Sequence, residues 1–145
     1  MMRIKWRVFE DMSISKDSNV MFIIYVKNQE RAKCFYKELL EGEPLLDVPG
    51  MTEFKLSGNA TLGIMPEEGI VRVLEGRIPH PQNANGIPRS EIYLFVDSPD
   101  DYYNKLEKAG GIGISKAAIR SWGDYVSYGF DPDGHIIAFA KKVSR

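Results

Sequence analysis

Residues 121–140 read SWGDYVSYGFDPDGHIIAFA, and the fold turns on how this stretch is read. It spells a β-hairpin. Trp122 and Gly123 mark a bend, and Asp124 to Phe130 is rich in the aromatic and β-branched residues that suit a half-buried strand. Asp131-Pro132-Asp133-Gly134 is a turn: Pro132 presets φ at the first central position, and Gly134 accepts a positive φ because it has no Cβ to clash. His135 to Lys141 returns as an apolar strand with two unlike faces. His135, Ile137 and Phe139 share one face; Ile136, Ala138 and Ala140 share the other. On the concave side of a curved sheet, small side chains such as these alanines leave volume for a guest.

The hairpin completes the second of two matching halves. Glu91 to Val96 reads as a strand, and Ser98, Pro99 and Asp101 form a capped helix start. Tyr102, Leu106 and Ala109 make the inner stripe of that helix, and Gly110-Gly111 ends it. Strands follow near Ile112 to Ala117, over Asp124 to Phe130, and over His135 to Lys141. The same order occurs earlier. Val20 to Val26 is an apolar strand, and Asn28 caps a helix with Glu30 in its first turn. Ala32, Phe35, Tyr36, Leu39 and Leu40 fall at helical spacing, and Gly42 stops the helix. Strands are expected at Pro44 to Val48, Met51 to Ser57 and Ala60 to Met65. Matching Val26 to Val96 gives an offset of 70 residues at which helix starts and stops agree.

The chain therefore reads as an α+β structural unit of two β-α-β-β-β repeats, over residues 20–65 and 90–145. Residues 1–19 form an N-terminal extension, in which Arg3 to Phe9 alternates like an added edge strand. Residues 66–89 are rich in Pro, Gly and Asn and read as a linker, with a short strand near Ile70 to Leu74.

Composition narrows the function. The 145 residues are 43% hydrophobic and 27% charged, as in a soluble globular protein. A net charge of -1 argues against a nucleic-acid partner. No apolar run approaches the roughly 20 residues that span a bilayer, so no membrane role is expected. Neither an apolar signal segment nor a pair of cysteines is present; the single Cys34 reads as a small filler on the first helix, and the cytoplasm is the expected compartment.

The two repeats, the Phe35-Tyr36 pair on the first helix and the segment DPDGHIIAFA together resemble the vicinal-oxygen-chelate superfamily of glyoxalases, bleomycin-resistance proteins and extradiol dioxygenases. The resemblance covers roughly residues 20–142. It implies eight strands curved into a cup with helices on the outer side. Ile92, Leu94 and Val96 then face a helix, and Glu91, Tyr93 and Phe95 face the cup. It also implies a divalent metal held by the first and last strands of each repeat. Those positions fall on Met21, Gly63, Glu91 and Ala138, and only Glu91 supplies a hard donor. His80 lies in the linker, and His135 is on the opposite face from Ala138.

No metal and no other cofactor is therefore expected, and the bleomycin-resistance branch is the nearer likeness: a homodimeric protein that binds a small organic molecule without reacting with it. Whether the repeats pair within or between chains is left open. The expected ligand-binding residues are Met21, Ile23, Tyr25, Met65, Glu91, Tyr93, Phe95, Trp122 and Ala138. Glu91 has three readings: paired with Arg89, Arg120 or a tyrosine hydroxyl; anchoring a ligand's cation or donor; or buried and moving protons. The alternative function is a glyoxalase-type lyase or isomerase, similar to lactoylglutathione lyase, with Glu91 as its one catalytic candidate. A third reading is an interaction module whose cup its own side chains fill.

Overall fold

The computed structural model describes residues 19–143. The first repeat comprises β1 (Val20–Val26), α1 (Gln29–Leu40), β2 (Leu46–Val48), β3 (Met51–Ser57) and β4 (Ala60–Pro66). A connector carries α2 (Glu67–Val73) and a 3-10 turn at Pro81–Ala84. The second repeat comprises β5 (Glu91–Phe95), α3 (Pro99–Lys108), β6 (Ile112–Ile119), β7 (Asp124–Phe130) and β8 (Ile136–Lys142). The expected extension strand at Arg3 to Phe9 lies outside the described residues.

The repeats build the same sheet. Strand order is β1-β4-β3-β2 in one and β5-β8-β7-β6 in the other. The first strand runs parallel to the last in each, and the remaining pairs are antiparallel. Ile23 stands opposite Gly63, and Tyr93 opposite Ala138, so equivalent positions meet in the two halves. The α+β repeat architecture is the one read from the sequence.

Local chemistry explains the helix ends. Asn28 Oδ1 accepts the Arg31 N–H at 2.9 Å, and Ser98 Oγ accepts the Asp101 N–H at 3.2 Å. The end of α1 differs from expectation. Glu41, not Gly42, takes the left-handed conformation, with φ 53°. That conformation costs a non-glycine residue about 1 kcal/mol. The Glu41 carboxylate meets Lys105 Nζ of α3 at 2.6 Å, so the turn is tied to the other repeat.

The two repeats share one core. Phe35, Tyr36 and Leu39 of α1 pack in a single cluster with Phe54, Leu62 and Ile64 of the first sheet and Leu106, Ile137 and Phe139 of the second repeat. Ile92, Leu94 and Val96 join it, as their spacing predicts. Close approach of α3 to β7 depends on Gly129, where a Cβ would sit 2.7 Å from the Leu106 side chain. The helix-bearing backs of both sheets thus meet, and their other faces turn away from the common core. Among the described residues β1 and β5 are not hydrogen-bonded neighbours, so the eight strands form two four-stranded sheets.

The expectations for Ile70 to Leu74 and for Cys34 are corrected. The strand near Ile70 to Leu74 is helix instead: Glu67 and Glu68 occupy the first turn of α2, where carboxylates favour a helix start. The linker is also tied down, because His80 Nε2 meets Glu68 Oε1 at 2.8 Å and His80 Nδ1 accepts the Gln82 N–H at 3.1 Å. Cys34 is exposed, not a core filler, because it lies off the Phe35–Leu39 stripe.

A shared core predicts one cooperative unfolding transition. Leu39→Ala should lower its free energy by about 2–5 kcal/mol, read from urea denaturation by circular dichroism. Two separate transitions, with only one shifted, would contradict the shared core.

Candidate functional site

The second repeat's concave face is assembled from β5, β7, β8 and the bend before β7. Ala138 and Ala140 are fully buried beneath Tyr93 and Tyr128, with Val126 beside them. The alanines are therefore a floor, and the tyrosine rings rest on it. Tyr93 donates its hydroxyl hydrogen to Asp124 Oδ2 at 2.7 Å and accepts the Trp122 indole N–H at 2.9 Å. These bonds fix both rings. Phe95 lies edge-on to Tyr93 with centroids 5.4 Å apart, and Lys142 Nζ stands 5.4 Å over the Phe95 ring. Phe95 and Trp122 remain 59% and 50% exposed.

Charge on this face is arranged around Tyr128. Arg120 donates to Val126 O at 2.8 Å and to Ser115 Oγ at 2.9 Å, and its guanidinium stacks 5.2 Å from the Tyr128 ring. Burial, with the charge of Glu91, raises the Tyr128 phenol above its ordinary pKa, partly offset by Arg120. Burial also raises Tyr93; the bond to Asp124 adds to the rise and the Trp122 bond opposes it. Both phenols stay protonated near neutrality and act as hydrogen-bonding groups.

Glu91 differs from two of its readings. It is exposed, so the burial required for a proton-moving role is absent. Among the described residues it pairs with neither Arg89, Arg120 nor a tyrosine hydroxyl, because Arg120 is committed to β7. It stands as an open carboxylate beside aromatic surface.

The first repeat's face is apolar. Met21, Ile23 and Tyr25 of β1 project beside Gly63 and Met65 of β4. A Cβ at Gly63 would fall 2.8 Å from Met21 Sδ, so glycine here lets Met21 and Ile23 lie flat on the sheet. The nine expected ligand-binding residues are divided between the repeats: Met21, Ile23, Tyr25 and Met65 on the first sheet, Glu91, Tyr93, Phe95 and the fully buried Ala138 on the second, and Trp122 in the bend before β7.

The four positions at which the superfamily resemblance implies a metal carry one carboxylate, one thioether, a glycine and an alanine. That donor set does not fit a divalent ion, which needs three or more oxygen or nitrogen ligands. Among the described residues no group of three or more His, Cys, Asp or Glu side chains could hold one.

Residues 19–144 match the family described as "Glyoxalase-like domain". The chain belongs to this family. Solved structures with the same fold include a glyoxalase-related enzyme from Fulvimarina pelagi, 18% identical over 90% of this glyoxalase-like chain and 88% of that one, with a TM-score of 0.72. Another is a glyoxalase/bleomycin resistance protein/dioxygenase family enzyme from Burkholderia phytofirmans, 12% identical over 85% and 97%, with a TM-score of 0.71. A third, a glyoxalase/bleomycin resistance protein/dioxygenase from Nocardioides, is 18% identical over 98% and 94%, with a TM-score of 0.67. At these identities the likeness establishes the fold, and it agrees with the vicinal-oxygen-chelate reading of the sequence.

A polar cluster at the β7–β8 turn escaped the sequence reading. Asp131 is buried, and its Oδ2 accepts from Tyr36 Oη at 2.7 Å and pairs with His135 Nδ1 at 2.8 Å. Its Oδ1 accepts the backbone N–H of Asp133 and of His135. Asp133 Oδ1 in turn accepts the Lys27 N–H at 2.9 Å and contacts Arg31 Nη2 at 3.2 Å. The turn therefore clasps the start and flank of α1, across the boundary between repeats of the glyoxalase-like domain. The available signal was Tyr36, a hydroxyl on an otherwise apolar helix stripe.

The clasp titrates. Burial would lower the His135 pKa, but the hydrogen bond and charge of Asp131, with the charges of Asp133 and Glu67, outweigh it and raise the group above 6.5. Burial would raise Asp131; the His135 and Tyr36 bonds reverse this and hold it below 3.8. A raised His contributes stability that is full below its unfolded pKa and is lost as pH rises through the folded value. A lowered Asp contributes stability above its unfolded pKa that is lost as pH falls through the folded value. Urea midpoints should therefore fall as pH rises from mildly acidic through the raised His135 value, and His135→Gln should flatten this decline. An unchanged pH profile in the variant would contradict the assignment.

Proposed function

We propose that this glyoxalase-like chain is a metal-free binding protein that seats a small organic molecule against its aromatic concave face. The observation that carries this reading is the face itself. Trp122 and Tyr93 are locked by hydrogen bonds, Phe95 and Trp122 keep part of their surface exposed, and Glu91 supplies a carboxylate that has no ion pair among the described residues. Rings fixed in this way bind a planar body with little loss of side-chain entropy. Glu91 anchors a cation or hydrogen-bond donor on that body. A lyase or isomerase would need an acid–base pair at the ligand, and the two phenols, both raised in pKa, stay protonated near neutrality and so are not available as bases.

A second copy completes the hollow. Among the described residues β1 and β5 are outer strands of their sheets, and β1 exposes Val20, Met21, Phe22, Ile23 and Tyr25. Apolar edges of this kind recruit another strand. In a twofold dimer β1 lies beside β5 of the partner, and each hollow unites Met21, Ile23, Tyr25 and Met65 of one protomer with the aromatic face of the other. The repeats then pair between chains, which accounts for why the nine residues are divided within one.

Thermal-shift screening of planar aromatic amines in the presence of EDTA tests the binding. Hits should persist without metal, and Trp122→Ala or Phe95→Ala should each weaken them by about threefold to tenfold, the worth of one aromatic contact. Binding that appears only with an added divalent ion would overturn the reading. Sedimentation velocity should give twice the chain mass, and Ile23→Lys should give monomer.

A further inference from the structure

A cleft of about 640 Å³ lies where the end of β1 and the start of α1 meet the connector and the β7–β8 turn. Its volume falls within the range of small-molecule sites. None of the second repeat's concave residues lines it, and it touches the first repeat's face only at Ile23 and Tyr25. Ile78 and Ile87 of the connector complete its apolar wall.

Charges of both signs converge on this cleft. Lys27, Arg31, Arg89 and His135 line its basic side, and Glu67 and Asp133 its acidic side. Among the described residues the side chains of Lys27, Arg89 and Glu67 have no ion pair or hydrogen bond, although the charge of Glu67 acts on His135. Asp133 adds a second, independent observation. Its side chain is only 4% exposed, and while Oδ1 is held by the Lys27 N–H and Arg31, Oδ2 has no donor among the described residues. A buried carboxylate oxygen without a donor calls for one from outside the chain. Water does not reach Oδ2, so a wall must yield slightly to admit a donor. The connector borders this corner of the cleft: a Cβ at Gly134 would stand 3.4 Å from Gly86 O.

We propose that this cleft is a second ligand site, built for a small zwitterion with an apolar body, of which a free α-amino acid is the simplest example. Its ammonium group donates to Asp133 Oδ2 and faces Glu67. Its carboxylate lies between Lys27 and Arg89, and its side chain rests on Ile23, Tyr25, Ile78 and Ile87. A ligand of a single charge would engage only one half of this arrangement.

Isothermal titration of the full chain with L-phenylalanine and L-leucine tests this, alongside 3-phenylpropionate, which lacks the ammonium, and phenethylamine, which lacks the carboxylate. The amino acids should bind about tenfold tighter than either single-charge analogue. Lys27→Ala and Glu67→Gln, neither in the core, should each weaken them by a similar factor, whereas Lys55→Ala should not. Asp133→Asn, checked for folding by circular dichroism, should weaken the amino acids more than the propionate. No heat at millimolar amino acid would overturn the proposal, as would equal affinity for an analogue. Loss of binding in Trp122→Ala with Lys27→Ala unaffected would move the ligand to the concave face and overturn it too.

Discussion

One buried carboxylate holds the architecture together. Asp131 receives a phenol from α1, an imidazole from its own turn and two backbone N–H groups, and almost none of it reaches solvent. Removing a buried ion from water is costly, and the cost is met only when its oxygens are fully engaged. The Tyr36 bond engages it from 95 residues away. The β7–β8 turn can therefore settle only where α1 presents that hydroxyl, and the start of α1 settles where Asp133 meets Lys27 and Arg31. Apolar packing of Phe35, Leu39, Leu106 and Phe139 supplies the bulk of the stabilisation, and the polar clasp fixes the register in which it is made.

This constraint determines what the sheets can do. Because the helix-bearing backs are joined, the opposite faces of both sheets look away from the common core. The second repeat's face is prepared for contact: alanines lie under tyrosines, tyrosine is fastened to Asp124 and Trp122, and Phe95 is exposed beside Glu91. The first repeat's face is a plain apolar strand edge at Met21, Ile23 and Tyr25. The proposed binding surface and the proposed assembly surface are thus neighbours on one chain.

The repeats were legible because strand alternation and turn chemistry are local. β3 and β7 begin and end where the sequence places them, and Asn28 and Ser98 cap the helices they precede. The two-residue alternation also placed Tyr93 and Ala138 on one face and Ile92 and Ile137 on the other. Interactions between distant residues were not legible. Tyr36 looks like one more aromatic in a stripe until Asp131 is placed against it. The short apolar run Ile70 to Leu74 suits strand or helix equally, and two glutamates before it decide for helix. Glu91 was singled out as a carboxylate on an apolar strand, but residue type does not reveal that β5 is an edge strand on which it remains exposed. The face of each candidate site residue was readable; the division of those residues between two separate sheets was not.

The claim that Asp131 fastens one repeat to the other is tested most directly by a double-mutant cycle on Tyr36→Phe and Asp131→Asn, read from urea unfolding at neutral pH. The account predicts a coupling energy of about 1–3 kcal/mol, the range for a buried hydrogen bond to a charged group. Strict additivity of the two substitutions would contradict it.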